Sequence, residues 1–208
     1  MAVLPERLER WLTRWEERHR SRSALVTPDV VTFNGEDGAS ARCQVPFPPL
    51  PEEGGDVLEV LVAHALRQRT VAVLLCRRGG HAVGVFSGTR LVASKVGSRL
   101  VHGRSAAGGW SQHRFERRRQ NQARDAWEVA ARQMAQALEP WRERLDAVVV
   151  GGDRDALAAL ARNPRLAPFL ARAEARRLDA LPTPRLRVLE QAPRHYRAVV
   201  IELRDPAD

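Results

Sequence analysis

Residues 99–124, RLVHGRSAAGGWSQHRFERRRQNQAR, hold the densest chemistry of the 208-residue chain. Arg99, Arg104, Arg114, Arg117, Arg118, Arg119 and Arg124 stand there against a single acid, Glu116, a local balance of +6. At helical spacing Arg114, Arg117 and Arg118 share a face. Acids usually intersperse with bases on a helix face that serves only solubility. Here they do not, which points to phosphate, because the guanidinium fork pairs with it bidentately. A solvated helix face is the plainer alternative. Immediately before the run sit Gly108, Gly109, Trp110, Ser111 and Gln112. Two glycines free the backbone for positive φ. Gln112 falls at a loop–helix junction, where unpaired N–H groups and the positive end of the helix dipole favour an anion or a developing oxyanion. A pliable loop with an incidental glutamine would read the same way.

Other candidates are weaker. Cys43 and Cys76 lack CxxC spacing, so neither a zinc motif nor a disulfide framework is supported. Asp146, Asp153 and Asp155 lie near one another in sequence without forming a convincing metal set. His64, His81 and His195 are isolated and read as structural or exposed. Gly79-Gly80 and Gly151-Gly152 lack a GxGxxG or P-loop frame and read as turns. Ser111 beside His113 resembles a nucleophile pair, but positions i and i+2 do not face each other on a helix. Ser111 therefore reads as shaping the loop. Trp110 could stack on a base or fold back onto the domain.

The whole chain carries +9, and 33 of its 34 basic residues are arginine, Lys95 being the exception. A GC-rich coding bias and a phosphate-binding surface both produce that skew. The N-terminal residues are charged throughout, against a standard signal peptide, and no run approaches the ~18 apolar residues of a membrane span. The cytoplasm is the expected compartment.

The elements that must carry these residues follow from periodicity. Leu4, Leu8, Trp11, Leu12 and Trp15 predict a helix docked on the main core. Residues 26–33 predict a strand, 34–38 a turn, and the Pro/Gly-rich 45–55 a linker. We therefore expect an N-terminal appendage with its linker over 1–55 and the main domain over 56–208. Within the latter, 56–69 is helical, and 70–76, 81–86 and 90–95 form a three-stranded meander. Residues 105–113 predict a loop, followed by a long helix that Pro140 ends or kinks. Residues 146–150 predict a strand, Asp153 an N-cap for a helix around 156–161, and 185–189 and 195–203 two further strands. This is an α/β domain with a mixed sheet and flanking helices.

The string SAAGGWSQHRFERRRQNQA resembles the actinobacterial-type branch of the release-factor-like peptidyl-tRNA hydrolases. These are relatives of the catalytic domain of eukaryotic class I peptide-chain release factors and of the eukaryotic hydrolase of ribosome quality control. The resemblance spans roughly Thr70 to Leu203. It implies an RNase-H-like release-factor fold, Gln112 as the catalytic residue, and Gly108, Gly109, Trp110 and Ser111 as its loop. It also implies RNA binding by Arg104, Arg114, Arg117, Arg118 and Arg119. Its partners would be the large ribosomal subunit and peptidyl-tRNA, with no cofactor, no metal and no membrane, the chain being a monomer. One departure stands out: Trp110 and Ser111 separate the glycines from Gln112, whereas in the eukaryotic factors the glutamine follows them directly. The implied reaction is hydrolysis of the ester between a nascent peptide and the terminal ribose of tRNA. Two alternatives remain open, a non-catalytic ribosome- or RNA-binding adaptor and, more weakly, a metal-dependent nuclease.

Overall fold

The computed structural model of the chain describes residues 1–21, 23–52, 54–98, 111–178, 180 and 182–206, and for 111–121 the backbone alone. In chain order the strands are β1 (Ala2–Val3), β2 (Ser23–Val26), β3 (Val30–Asn34), β4 (Ser40–Gln44), β5 (Thr70–Arg77), β6 (Gly80–Ser87), β7 (Arg90–Ser98), β8 (Ala147–Gly152) and β9 (Val199–Arg204). The helices are α1 (Pro5–His19), α2 (Val57–Leu66), α3 (Ser111–Leu138), α4 (Arg154–Ala161), α5 (Ala167–Leu170) and α6 (Leu186–Tyr196). They form two units, Met1–Gln68 with Arg194–Asp208, and Arg69–Pro193. Among the described residues no helix is long and apolar enough to cross a membrane.

The first unit is built on an antiparallel sheet in the order β1-β9-β4-β3-β2. Alternation buries one face: Val31, Cys43 and Ile201 line up across β3, β4 and β9. Helix α1 contributes Leu8, Leu12 and Trp15 to this core, and α2 adds Leu58, Leu61, Val62 and Ala65. The α2 N-terminus is capped by Asp56, whose Oδ1 accepts from the Leu58 N–H at 2.9 Å.

Several sequence expectations change here. Residues 1–55 are not a simple appendage, because they enclose a core of their own together with α2 and β9. The expected boundary at residue 55 is accordingly not where the units divide. The supposed linker packs inward: Val45 and Leu50 are buried, and the Pro48–Pro49 bond is cis. The strand expected over 26–33 is two strands, broken at Thr27–Asp29, where the Thr27 N–H and hydroxyl both turn back to the Val30 carbonyl.

The second unit holds the mixed α/β arrangement, a four-stranded sheet in the order β7-β6-β5-β8. The meander β5-β6-β7 is antiparallel and β8 runs parallel to β5. Residues 71–76 of β5 are all buried, which is why the strand reads as an unbroken apolar run. A parallel return needs a crossover, and α3 lies in it. Residues 185–189, expected as a strand, belong instead to the approach and first turn of α6. Val188, Leu189, Ala192, Pro193 and Tyr196 are its buried residues, a helical period. The last expected strand begins only at Val199 and joins the first unit's sheet through β4 and β1.

Candidate functional site

Strand β7 ends at Ser98 and helix α3 begins at Ser111. Arg104, Gly108, Gly109 and Trp110 fall between them and lie outside the described residues. Ser111 and Gln112 open α3, so the last three residues of the predicted loop, 111–113, are helical in backbone. Gln112 thus stands in the first turn, where N–H groups have no partner within the helix. Arg114, Arg117, Arg118 and Arg119 follow in the next turns of the same helix; their side chains lie outside the description.

The described part of α3 explains what holds that end. The helix has 28 residues, about 42 Å at 1.5 Å per residue. Ala130, Ala131, Met134, Ala135 and Leu138 enter the core beside Ala72, Leu74, Val83 and Val85 of the sheet. Three alanines in that set keep the helix close to the strands. Pro140 lies in a 3-10 turn, Glu139–Arg144, just past the helix end.

One polar contact fastens the helix to the strands near the β7 end. The His81 Nε2 of β6 meets Gln133 Oε1 of α3 at 2.8 Å. With a carbonyl oxygen opposite, that nitrogen donates, so the ring is neutral or doubly protonated. Burial holds the His81 pKa below its ordinary value; the Gln133 contact opposes this and the Lys95 charge adds to it. The ring is therefore neutral at neutral pH. Gly97 of β7 lies against the imidazole so closely that a Cβ there would collide with its ring atoms. His81, Gly97, Ser98, Trp127 and Gln133 border a cavity of about 240 Å³. From sequence His81 reads as isolated, and Gln133 is not singled out. The available signal is a polar residue set among Ala130, Ala131 and Met134 on a core-facing helix.

The remaining candidates have structural employment. Asp146 Oδ2 accepts from the Thr70 N–H at 2.6 Å and Asp153 Oδ2 from the Arg78 N–H at 2.9 Å, fastening the two ends of the β5–β8 pair. Asp153 does occupy the N-cap position of α4, but its carboxylate makes no capping bond there. His64 is buried, with Nε2 at 2.9 Å from the Pro46 carbonyl, and His195 is exposed. Cys43 and Cys76 are buried, which pushes each thiol up to about 12. Among the described residues no three of His, Cys, Asp and Glu gather where they could hold a metal ion. Gly151 and Gly152 end β8 rather than forming a free turn. A side chain at Gly151 would meet the Leu178 carbonyl at 2.5 Å, and Gly152 has φ +118°.

Comparison with known proteins places these elements in context. A family model described as Actinobacteria/chloroflexi VLRF1 release factor matches residues 69–202, which include all of the second unit and positions 104–119. Peptide chain release factor subunit 1 of Archaeoglobus fulgidus is 23% identical over 133 residues, 62% of this chain and 33% of its own length. Among solved structures, an archaeal translation termination factor, aRF1, aligns with a TM-score of 0.41 and 16% identity, covering 86% of this chain and 58% of that one. A structure described as an archaeal protein aligns with a TM-score of 0.42 and 16% identity, covering 77% and 48%. The chain spans about a third of the length of the curated relative it matches.

Proposed function

This chain belongs to the VLRF1 release factor family of Actinobacteria and Chloroflexi, and from that premise we propose that it is a peptidyl-tRNA hydrolase. Its substrate would be a nascent chain held as peptidyl-tRNA on a stalled ribosomal complex, and its partner the large subunit. The observation that carries this reading is the family match across 69–202, which runs through Gly108, Gly109, Gln112 and the arginines that follow.

The chemistry suits an amide. Water attacks the ester carbonyl carbon, a tetrahedral oxyanion forms, and the C–O bond to the ribose breaks as that oxygen takes a proton. A glutamine amide does not titrate near neutral pH, so it is no general base. Its Oε1 can hold the attacking water, while its Nε2 and backbone N–H donate toward the oxyanion or the departing ribose oxygen. Rate enhancement then comes from positioning. Gly108, Gly109, Trp110 and Ser111 would let the tip enter the site, and Arg104, Arg114, Arg117, Arg118 and Arg119 would bind RNA phosphate. Attachment of α3 to the sheet through Met134, Leu138 and the His81–Gln133 bond supports a firmly held base for such a tip.

Release of nascent chain from peptidyl-tRNA on stalled large-subunit complexes tests this directly. Gln112→Ala is expected to lower the rate by about a hundredfold or more, the usual effect of removing an oxyanion donor. Undiminished release rejects the catalytic assignment. The arginine run by itself also fits a non-catalytic RNA-binding adaptor. In that case Gln112→Ala is silent while Arg117→Ala and Arg118→Ala still weaken RNA binding.

A further inference from the structure

Helix α1 segregates its charges in a way that release chemistry does not require. Leu8, Leu12 and Trp15 face the core of the first unit. At 3.6 residues per turn, Glu6, Glu9, Glu16 and Glu17 fall on one flank and Arg7, Arg10, Arg14 and Arg18 on the other. The four arginines are spaced by three, four and four residues, a single row about 16 Å long. Opposite charges at these spacings support a helix and like charges weaken it. A helix needing only solubility would mix the signs. All four arginines are exposed, and none of their side chains makes a hydrogen bond or ion pair with a described residue. On the acidic flank, by contrast, Glu6 is held by Arg197 at 2.6 Å.

The row borders a groove of about 880 Å³ that is also lined by Leu203 and Arg204 at the end of β9 and by Asp205 just beyond it. Half-buried Trp11 lies on the groove between the row and the core. Of the two carboxylates lining it, Asp37 is already bound to His19 Nδ1 at 2.7 Å. Five arginines therefore dominate the groove. Guanidinium forks in a row with an aromatic ring among them match a single-stranded nucleic acid, phosphates on the cations and a base on the ring. A bilayer surface fits poorly. Helices that lie on membranes insert their apolar face, and here Leu8 and Leu12 are wholly buried inside the unit.

We propose that the groove between α1 and the end of β9 is a second RNA site, in which Arg7, Arg10, Arg14, Arg18 and Arg204 hold the backbone of a single strand and Trp11 stacks on a base. It goes beyond peptide release, since it uses none of residues 104–119.

The test is binding of labelled oligouridylate to the full chain as a function of salt. Replacing Arg10, Arg14 and Arg18 together with Gln should flatten the slope of log affinity against log salt by about 2, at ~0.7 for each single-strand phosphate left without its cation. Circular dichroism of the same variant checks that α1 is intact. Trp11→Leu should weaken binding and leave the salt slope unchanged, the signature of missing stacking. A separate Arg117→Gln/Arg118→Gln variant reports on α3. If it alone changes the slope, the groove site is overturned while the release assignment stands. If the α1 variant changes the slope, the groove site holds whatever Gln112→Ala does to release. Absence of any RNA binding overturns the proposal. So does an α1 variant that loses only binding to phosphatidylserine vesicles, which would assign the row to a membrane.

Discussion

A single methyl group added at Gly97 would strike the His81 imidazole. Gly97→Ala is therefore expected to destabilise by about 1–3 kcal/mol, the usual penalty of overpacking, read from the midpoint of urea unfolding. The same ring sets a pH dependence. Its folded pKa lies below the ordinary 6.5, so the unfolded chain binds the extra proton first. Stability is then full above the ordinary value and falls as pH drops from there toward the lowered folded value. His81→Gln cannot titrate and should show a shallower loss across that window; parallel profiles for the two proteins would rule His81 out as the source. The thiols of Cys43 and Cys76, pushed up to about 12 by burial, should resist a disulfide reagent at neutral pH until denaturant is added. Prompt labelling of the native chain would contradict that burial.

Helix α3 links a packed half to the segment that carries Gln112. Leu138, fully buried, anchors the far end. Leu138→Ala should destabilise the second unit by about 2–5 kcal/mol, measured by chemical unfolding, and so loosen the element beneath the proposed tip. Much of this element's role is legible in the sequence. Ala130, Ala131, Met134 and Leu138 repeat with helical period, and the apolar run of β5 announces a strand buried on both faces. The start of α6 is not legible, because Leu186 and Val188 alternate like a strand, and only Leu189, Ala192 and Tyr196 reveal the longer period. The destination of β9 is equally hidden. Its alternation predicts a half-buried strand but cannot say that Ile201 pairs with Cys43, most of the chain away. At the candidate site, Gln112 and its arginines stand out by type and spacing. The His81–Gln133 bond does not, since it joins two residues that only the folded sheet and helix bring together.

The two units differ in how the chain supplies them. Residues 69–193 are continuous, whereas the first unit needs both 1–68 and 194–208. A fragment of residues 69–193 is accordingly expected to fold alone, with cooperative thermal unfolding by circular dichroism. A fragment of 56–208 keeps β9 but removes β1 and β4, leaving both strand edges unpaired, and should self-associate on size-exclusion chromatography. Equal behaviour of the two fragments would refute this division. The return of β9 also imposes an order on biogenesis. On a translating ribosome residues 69–193 emerge before Val199, so the second unit can mature while β4 still lacks the neighbour that separates it from β1. The first unit is thus begun first and completed last, and its open β4 edge is the stretch that a chaperone would have reason to shield.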